Sequence, residues 1–89
     1  MRSLEAVVVN KLGLHARPSA KVAQLATRFQ SDVWMAKGAR RINAKSIMGV
    51  MMLAAAKGTT LVIEASGPDE DAAAAALAQL VADGFGEEI

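Results

Sequence analysis

A single histidine, His15, lies in the run Gly13-Leu14-His15-Ala16-Arg17-Pro18. Imidazole titrates near neutrality, so at pH 7 much of it keeps a ring-nitrogen lone pair that can attack an electrophile. Arg17 is permanently cationic, and Pro18 suits the first turn of a helix whose free amides would face the histidine. A nucleophile, a fixed cation and a helix start together favour a phosphoryl group as the electrophile. On residue pattern alone, an ordinary solvated histidine beside a helix start is an equally weighted reading. There is no cysteine and no second histidine, so neither a disulfide framework nor a zinc site of His and Cys can be assembled, and no metal or cofactor is expected. Nothing in the sequence supplies a triad partner for hydrolysis. Accepting a phosphoryl group and handing it on requires a nucleophile and charge stabilisation, without a deep pocket.

A second stretch, Lys45-Ser46-Ile47-Met48-Gly49-Val50-Met51, places Ser46 as the N-cap of a short helix. That cap alone accounts for a serine there and outweighs a regulatory role on residue type. A phosphate on Ser46 would add about −1.5 to −2 charges next to first-turn amides, so modification is physically tolerable. Ile47, Val50, Met51 and Ala54 have helical spacing and read as core, while Met48 and Met52 form an i, i+4 pair on another face. That pair reads equally as an exposed, adaptable docking surface or as packing against a neighbouring helix. Arg40 and Arg41 read as a solvated strand edge that discourages aggregation.

The elements that must position these residues follow from periodicity. Leu4 to Val9 is β-branched and reads as a strand, and the loop after it carries His15. Val22, Leu25, Ala26 and Phe29 mark one face of a helix beginning near Ala16. Val33–Ala36 and Arg40–Asn43 form a hairpin turning at Lys37-Gly38-Ala39, and the Ser46 helix is expected to stop at Lys57-Gly58. Thr59–Ala65 alternates as a strand. Asp69, Glu70 and Asp71 open a last helix with Ala73, Leu77, Leu80 and Val81 on its apolar face, and Gly84 closes it. The order βαββαβα predicts an α+β open-faced sandwich: one sheet with its helices on a single face.

Composition restricts the function classes. The chain of 89 residues, 53% hydrophobic and 21% charged, is sized for one domain spanning residues 1–89. A formal charge of +1 and 3% aromatic residues argue against nucleic-acid binding. No apolar run approaches the roughly 20 residues of a membrane span, and nothing resembles a leader segment, so a soluble protein is expected. The cysteine-free composition permits a cytoplasmic setting, and the lack of heptads or a large apolar surface predicts a monomer.

Both motifs, their separation and the element order resemble HPr, the histidine-containing phosphocarrier family of the bacterial phosphotransferase system, over nearly the whole chain. The resemblance implies a four-stranded antiparallel sheet with three helices on one face. It implies that His15 is phosphorylated on Nδ1 by enzyme I, itself charged from phosphoenolpyruvate, that Arg17 stabilises the phosphate, and that a IIA protein or domain receives it. Such a chain is a phosphoryl-transfer intermediate and not a stand-alone turnover enzyme. It further implies that an ATP-dependent HPr kinase/phosphorylase can modify Ser46 and weaken docking of enzyme I. Met48, Met51 and Met52 form the expected docking set. Met52 stands where sugar-branch members often carry serine, and Ser19 where alanine is common. The ending Gly84-Phe85-Gly86-Glu87-Glu88 is similar to the nitrogen-related branch, so sugar uptake and nitrogen-related regulation both remain open. The competing function is a regulatory binding module controlled through Ser46 without a sugar-transport role. An unrelated α+β ligand-binding domain would leave both motifs unexplained.

Overall fold

Strand alternation sets the layers. The computed structural model describes residues 1–87. Its elements are β1 (Arg2–Val7), α1 (Ala16–Thr27), β2 (Asp32–Lys37), β3 (Arg40–Asn43), α2 (Ile47–Met52), β4 (Thr60–Ser66) and α3 (Glu70–Ala82), followed by a 3₁₀ turn at Gly84–Gly86. The sheet order is β1-β4-β2-β3 with every pair antiparallel, so β4, the last strand in sequence, lies inside the sheet. It pairs from Arg2↔Ala65 to Val7↔Thr60 on one side and from Asp32↔Ser66 to Ala36↔Val62 on the other. Leu61, Ile63 and Ala65 point into the core beside Ala6, Val8, Val33 and Met35, whereas Val62, Glu64 and Ser66 lie half-buried on the open face.

The helices cover the inner face. α3 contributes Ala73, Ala74, Leu77 and Val81, α1 contributes Val22 and Ala26, and Phe85 is buried beyond α3, all within one apolar cluster. Leu80 packs against that cluster only in part. Among the described residues no helix is long and apolar enough to cross a membrane.

Several boundaries differ from the sequence expectation. β1 ends at Val7, and Val8 then bonds to the 58–59 turn, with its amide donating to Thr59 and its carbonyl accepting from Gly58. α1 ends at Thr27; the Arg28 and Phe29 amides donate to Leu25 and Ala26 in a tightened last turn, which leaves Phe29 outside the helix. The largest correction is α2. It has six residues and stops well before Lys57-Gly58, with Leu53 as its C-cap and Ala54 in the left-handed region at φ 48°. Of the expected core stripe only Val50 is buried, because a helix under two turns long presents a single inward position; Leu53 supplies the next one. Ile47, Met51 and Ala54 are exposed.

The arginine pair is also more than a solvated edge. Arg40 Nη1 donates to the Met52 carbonyl at 2.7 Å, and Lys37 Nζ reaches the Leu53 and Ala54 carbonyls at 3.3 Å, so two hairpin cations meet the negative end of α2. Arg41 lies 4.1 Å over the Trp34 ring and pairs with Glu64 at 2.7 Å on the open face.

Asp69 joins the end of α1 to the start of α3. Its carboxylate accepts from the Ser31 hydroxyl, from the Gln30 amide at 3.0 Å and from the Ser31 amide at 2.9 Å. The Ser31 hydroxyl first, then those amides, lower its pKa to about 2. A depressed carboxylate stabilises the fold above its unfolded value of about 4 and loses that contribution as pH falls through the folded one. Asp69→Asn should therefore lower the thermal midpoint at neutral pH, and the gap to the native chain should close between about pH 4 and about pH 2. Melting curves recorded across that window check this.

Candidate functional site

His15 is the N-cap residue of α1, with extended backbone at φ −84° and ψ −169°. Its carbonyl accepts the Ser19 amide at 3.1 Å, while the imidazole makes no capping bond and is left for other work. The loop before it is fastened to the chain leaving α2, since the Leu14 amide donates to the Ala55 carbonyl at 2.9 Å. This approach requires Gly13. Its φ is +69°, and a Cβ there would lie 2.4 Å from the Ala55 oxygen.

The ring is held from the far end of the chain. Glu87 Oε1 lies 2.9 Å from His15 Nε2 and also accepts from Asn10 Nδ2 at 3.0 Å. Asn10 is fully buried, and its Nδ2 donates as well to the Gly13 carbonyl at 2.9 Å. The His15 hydrogen bond holds the Glu87 carboxyl below the usual range; burial opposes this, and the Asn10 amide and the charges of His15 and Lys21 reinforce it. Facing an ionised acceptor, Nε2 carries the proton, which leaves the lone pair of the neutral ring on Nδ1. The imidazole is 36% exposed and Glu87 16%, so the ring reaches solvent while its partner is largely covered.

Arg17 is exposed and has no ion pair among the described residues. It lines an open depression of about 430 Å³ with Lys11, Leu12, Lys21, Gly86 and Glu87. Lys21 Nζ donates to the Phe85 carbonyl at 2.6 Å and ties the 3₁₀ turn to α1. His15 and Arg17 thus share one end of α1, with Glu87 common to the ring contact and the depression. The described residues contain no group of three or more metal-binding side chains.

Ser46 heads α2, exposed, and its Oγ accepts the Gly49 amide at 3.0 Å, so the expected cap is formed. Met48 and Met52 are 70% and 58% exposed, and Ile47 and Met51 are exposed beside them. The methionine pair faces solvent and does not pack against a neighbouring helix.

Sequence reasoning missed Glu87 and Asn10. Glu87 is 72 positions from His15, and no spacing rule links them. The one local signal is Gly84-Phe85-Gly86, where all three residues have positive φ and turn the chain back towards α1. Glu88 lies outside the described residues.

A histidine reaching solvent near a cation, on an open-faced sandwich, is the arrangement a surface phosphocarrier needs. Residues 3–83 match the family model described as the PTS HPr component phosphorylation site. The phosphocarrier protein HPr of Cupriavidus necator is 54% identical over 87 residues, covering 98% of each chain. That of Neisseria meningitidis serogroup A is 55% identical over 80 residues, covering 90% of each. The crystal structure of HPr-C-His from Thermoanaerobacter tengcongensis aligns with a TM-score of 0.94 at 43% identity over the whole of both chains. The chain belongs to the HPr family of phosphotransferase-system phosphocarriers.

Gly13→Ala should force the loop away from Ala55, because it adds a left-handed alanine and a contact with a backbone oxygen that cannot turn aside. The expected cost is about 1–3 kcal/mol in chemical denaturation, with faster exchange of the Leu14 amide. Unchanged exchange at Leu14 would show that the loop does not depend on this approach.

Proposed function

We propose that this chain accepts a phosphoryl group on Nδ1 of His15 from phospho-enzyme I and passes it to a IIA protein or domain. The observation that carries the reading is the Glu87 contact at Nε2, which leaves Nδ1 as the nucleophilic nitrogen of a ring open to solvent. In the first step the Nδ1–P bond forms as the bond from phosphorus to enzyme I breaks. The ring then carries positive charge, which the Glu87 carboxylate balances at Nε2–H. Arg17 offers its guanidinium to the phosphoryl oxygens. The second step reverses these changes towards the acceptor. A single chain supplies His15, Arg17 and Glu87, so the proposed transfer needs no second copy of the chain.

The face of Ile47, Met48, Met51 and Met52 is the proposed docking surface, because unbranched thioethers on an exposed helix repack against differently shaped partners. Ser46 stands at its head. An HPr kinase/phosphorylase acting there would put about two negative charges at the rim of an apolar patch and weaken docking. The same feature favours the second reading, a module whose output is set by Ser46 without sugar transport.

Intact-protein mass after incubation with phosphoenolpyruvate and enzyme I tests the carrier role. One acid-labile phosphate is expected on the native chain and none on His15→Ala. Phosphate persisting on the variant, or absent from the native chain with a competent enzyme I, overturns it. Ser46→Asp should raise the KM of enzyme I for this carrier about tenfold, equivalent to ~1.4 kcal/mol, with kcat little changed. An unaltered KM would count against docking on α2.

A further inference from the structure

We propose that Asn10 is a positioning residue for phosphoryl transfer, its buried amide holding the Glu87 carboxylate against His15 Nε2 and so fixing the ring with Nδ1 outward. The inference rests on the carrier reading and adds to it a residue outside both motifs. Asn10 has no exposed surface, and its Nδ2 faces two acceptors, the Gly13 carbonyl at 2.9 Å and Glu87 Oε1 at 3.0 Å. Both amide hydrogens are therefore in use, and the orientation of the group is fixed, since a flipped amide would set Oδ1 against two oxygens.

The other half of the side chain shows that stability alone does not explain this residue. Asn10 Oδ1 is buried without a hydrogen-bond partner, an arrangement that a small apolar residue would avoid. An apolar residue could provide neither donor; the Gly13 carbonyl would still accept the His15 amide at 3.0 Å, whereas Glu87 would lose its anchor. That carboxylate ends a rotatable side chain just past Gly86, and the imidazole is its only other hydrogen-bonding partner among the described residues. With one donor the carboxylate can swing and carry the ring with it. With two, one anchored in the core, it has a single position. The Asn10 carbonyl also accepts the Gly13 amide at 3.2 Å, so one residue braces both the histidine loop and the carboxylate behind the ring.

A double-mutant cycle separates these two roles. Single-turnover transfer from phospho-enzyme I is measured for the native chain, Asn10→Ala, Glu87→Ala and the double variant, with KM determined in parallel. Asn10→Ala should slow transfer about tenfold with KM nearly unchanged, the penalty of a misplaced reacting group. The double variant should be no slower than Glu87→Ala, because Asn10 then has nothing to position. Asn10→Asp, which keeps the shape and loses the donor, should be at least as slow as Asn10→Ala. The Glu87 carboxyl, followed by carbon-13 NMR without any partner protein, should titrate closer to an ordinary glutamate in Asn10→Ala. Multiplying losses in the double variant, or an unmoved Glu87 titration, overturns the proposal. If Asn10→Ala fails to fold, Asn10→Ser carries the same cycle with a weaker donor. If the native chain is not phosphorylated at all, the carrier reading fails, and the Glu87 titration still shows whether Asn10 holds the carboxylate.

Discussion

The hydrogen bond from the Leu14 amide to the Ala55 carbonyl, 2.9 Å long, is the joint on which the site depends. The segment between β1 and α1 has no ladder of its own, and a loop carrying a reactive side chain needs a rigid support. The support comes from the chain leaving α2. Leu14 and Ala55 are both buried, so the joint lies in the core while the next side chain, His15, turns outward. Gly13 is needed for this close contact, and its place in the motif reflects packing distance more than flexibility. α2 ends where it does for a related reason. Ala54 takes a positive φ, unusual for alanine and costing on the order of 1 kcal/mol, and the chain turns there to bring the Ala55 carbonyl under the loop. Lys37 and Arg40, donating to the carbonyls of residues 52–54, offset part of that strain.

The two shorter-range helical signals in the sequence have opposite fates, and the difference lies in how much of the sheet each helix covers. α3 runs for 13 residues across the inner face and buries four of them. α2 has six residues, meets β3 and α1 at one side of the layer, and buries Val50 alone. Its remaining apolar side chains, Ile47, Met48, Met51 and Met52, face water. Exposed apolar side chains grouped on one helix mark a contact surface more often than single scattered ones do, which is the ground for the proposed docking face.

Most of the architecture was legible because it rests on local rules. The alternation of Leu61, Ile63 and Ala65, the apolar face of α3, the Ser46 cap and the left-handed Gly84 are all signals carried within a few residues. Periodicity identifies a face and not its depth, which is why Ile47 and Met51 read as core and lie exposed. Type and spacing mark His15 and its neighbouring arginine as candidates, with an ordinary solvated histidine weighing equally on that ground. The carboxylate against the ring was not legible, since a contact across 72 positions leaves no periodic trace, and a glutamate near a chain end has the composition of any solvated tail. Arg40 and Arg41 were misjudged on the same ground. Their acceptors, the Met52 carbonyl and the Glu64 carboxylate, are brought to them only by the fold.

Charges of both signs stand around His15. Glu87 occupies the Nε2 side of the ring and shares the neighbouring depression with Arg17 and Lys11, which have no ion pair among the described residues, whereas Lys21 is engaged with the Phe85 carbonyl. The proposed phosphorylation at Nδ1 would make the ring positive next to the Glu87 carboxylate and bring negative phosphoryl oxygens to the end of α1 that carries Arg17. In a site open to solvent each such interaction is worth little, so the phosphorylated form would be stabilised modestly. A carrier requires that moderation. A deep pocket or a bound metal would hold the phosphoryl group more firmly and slow its departure to the next protein. With a formal charge of only +1 the chain has little long-range field to steer a partner, so on the proposed reading partner choice would fall to the contacts made around His15 and along α2.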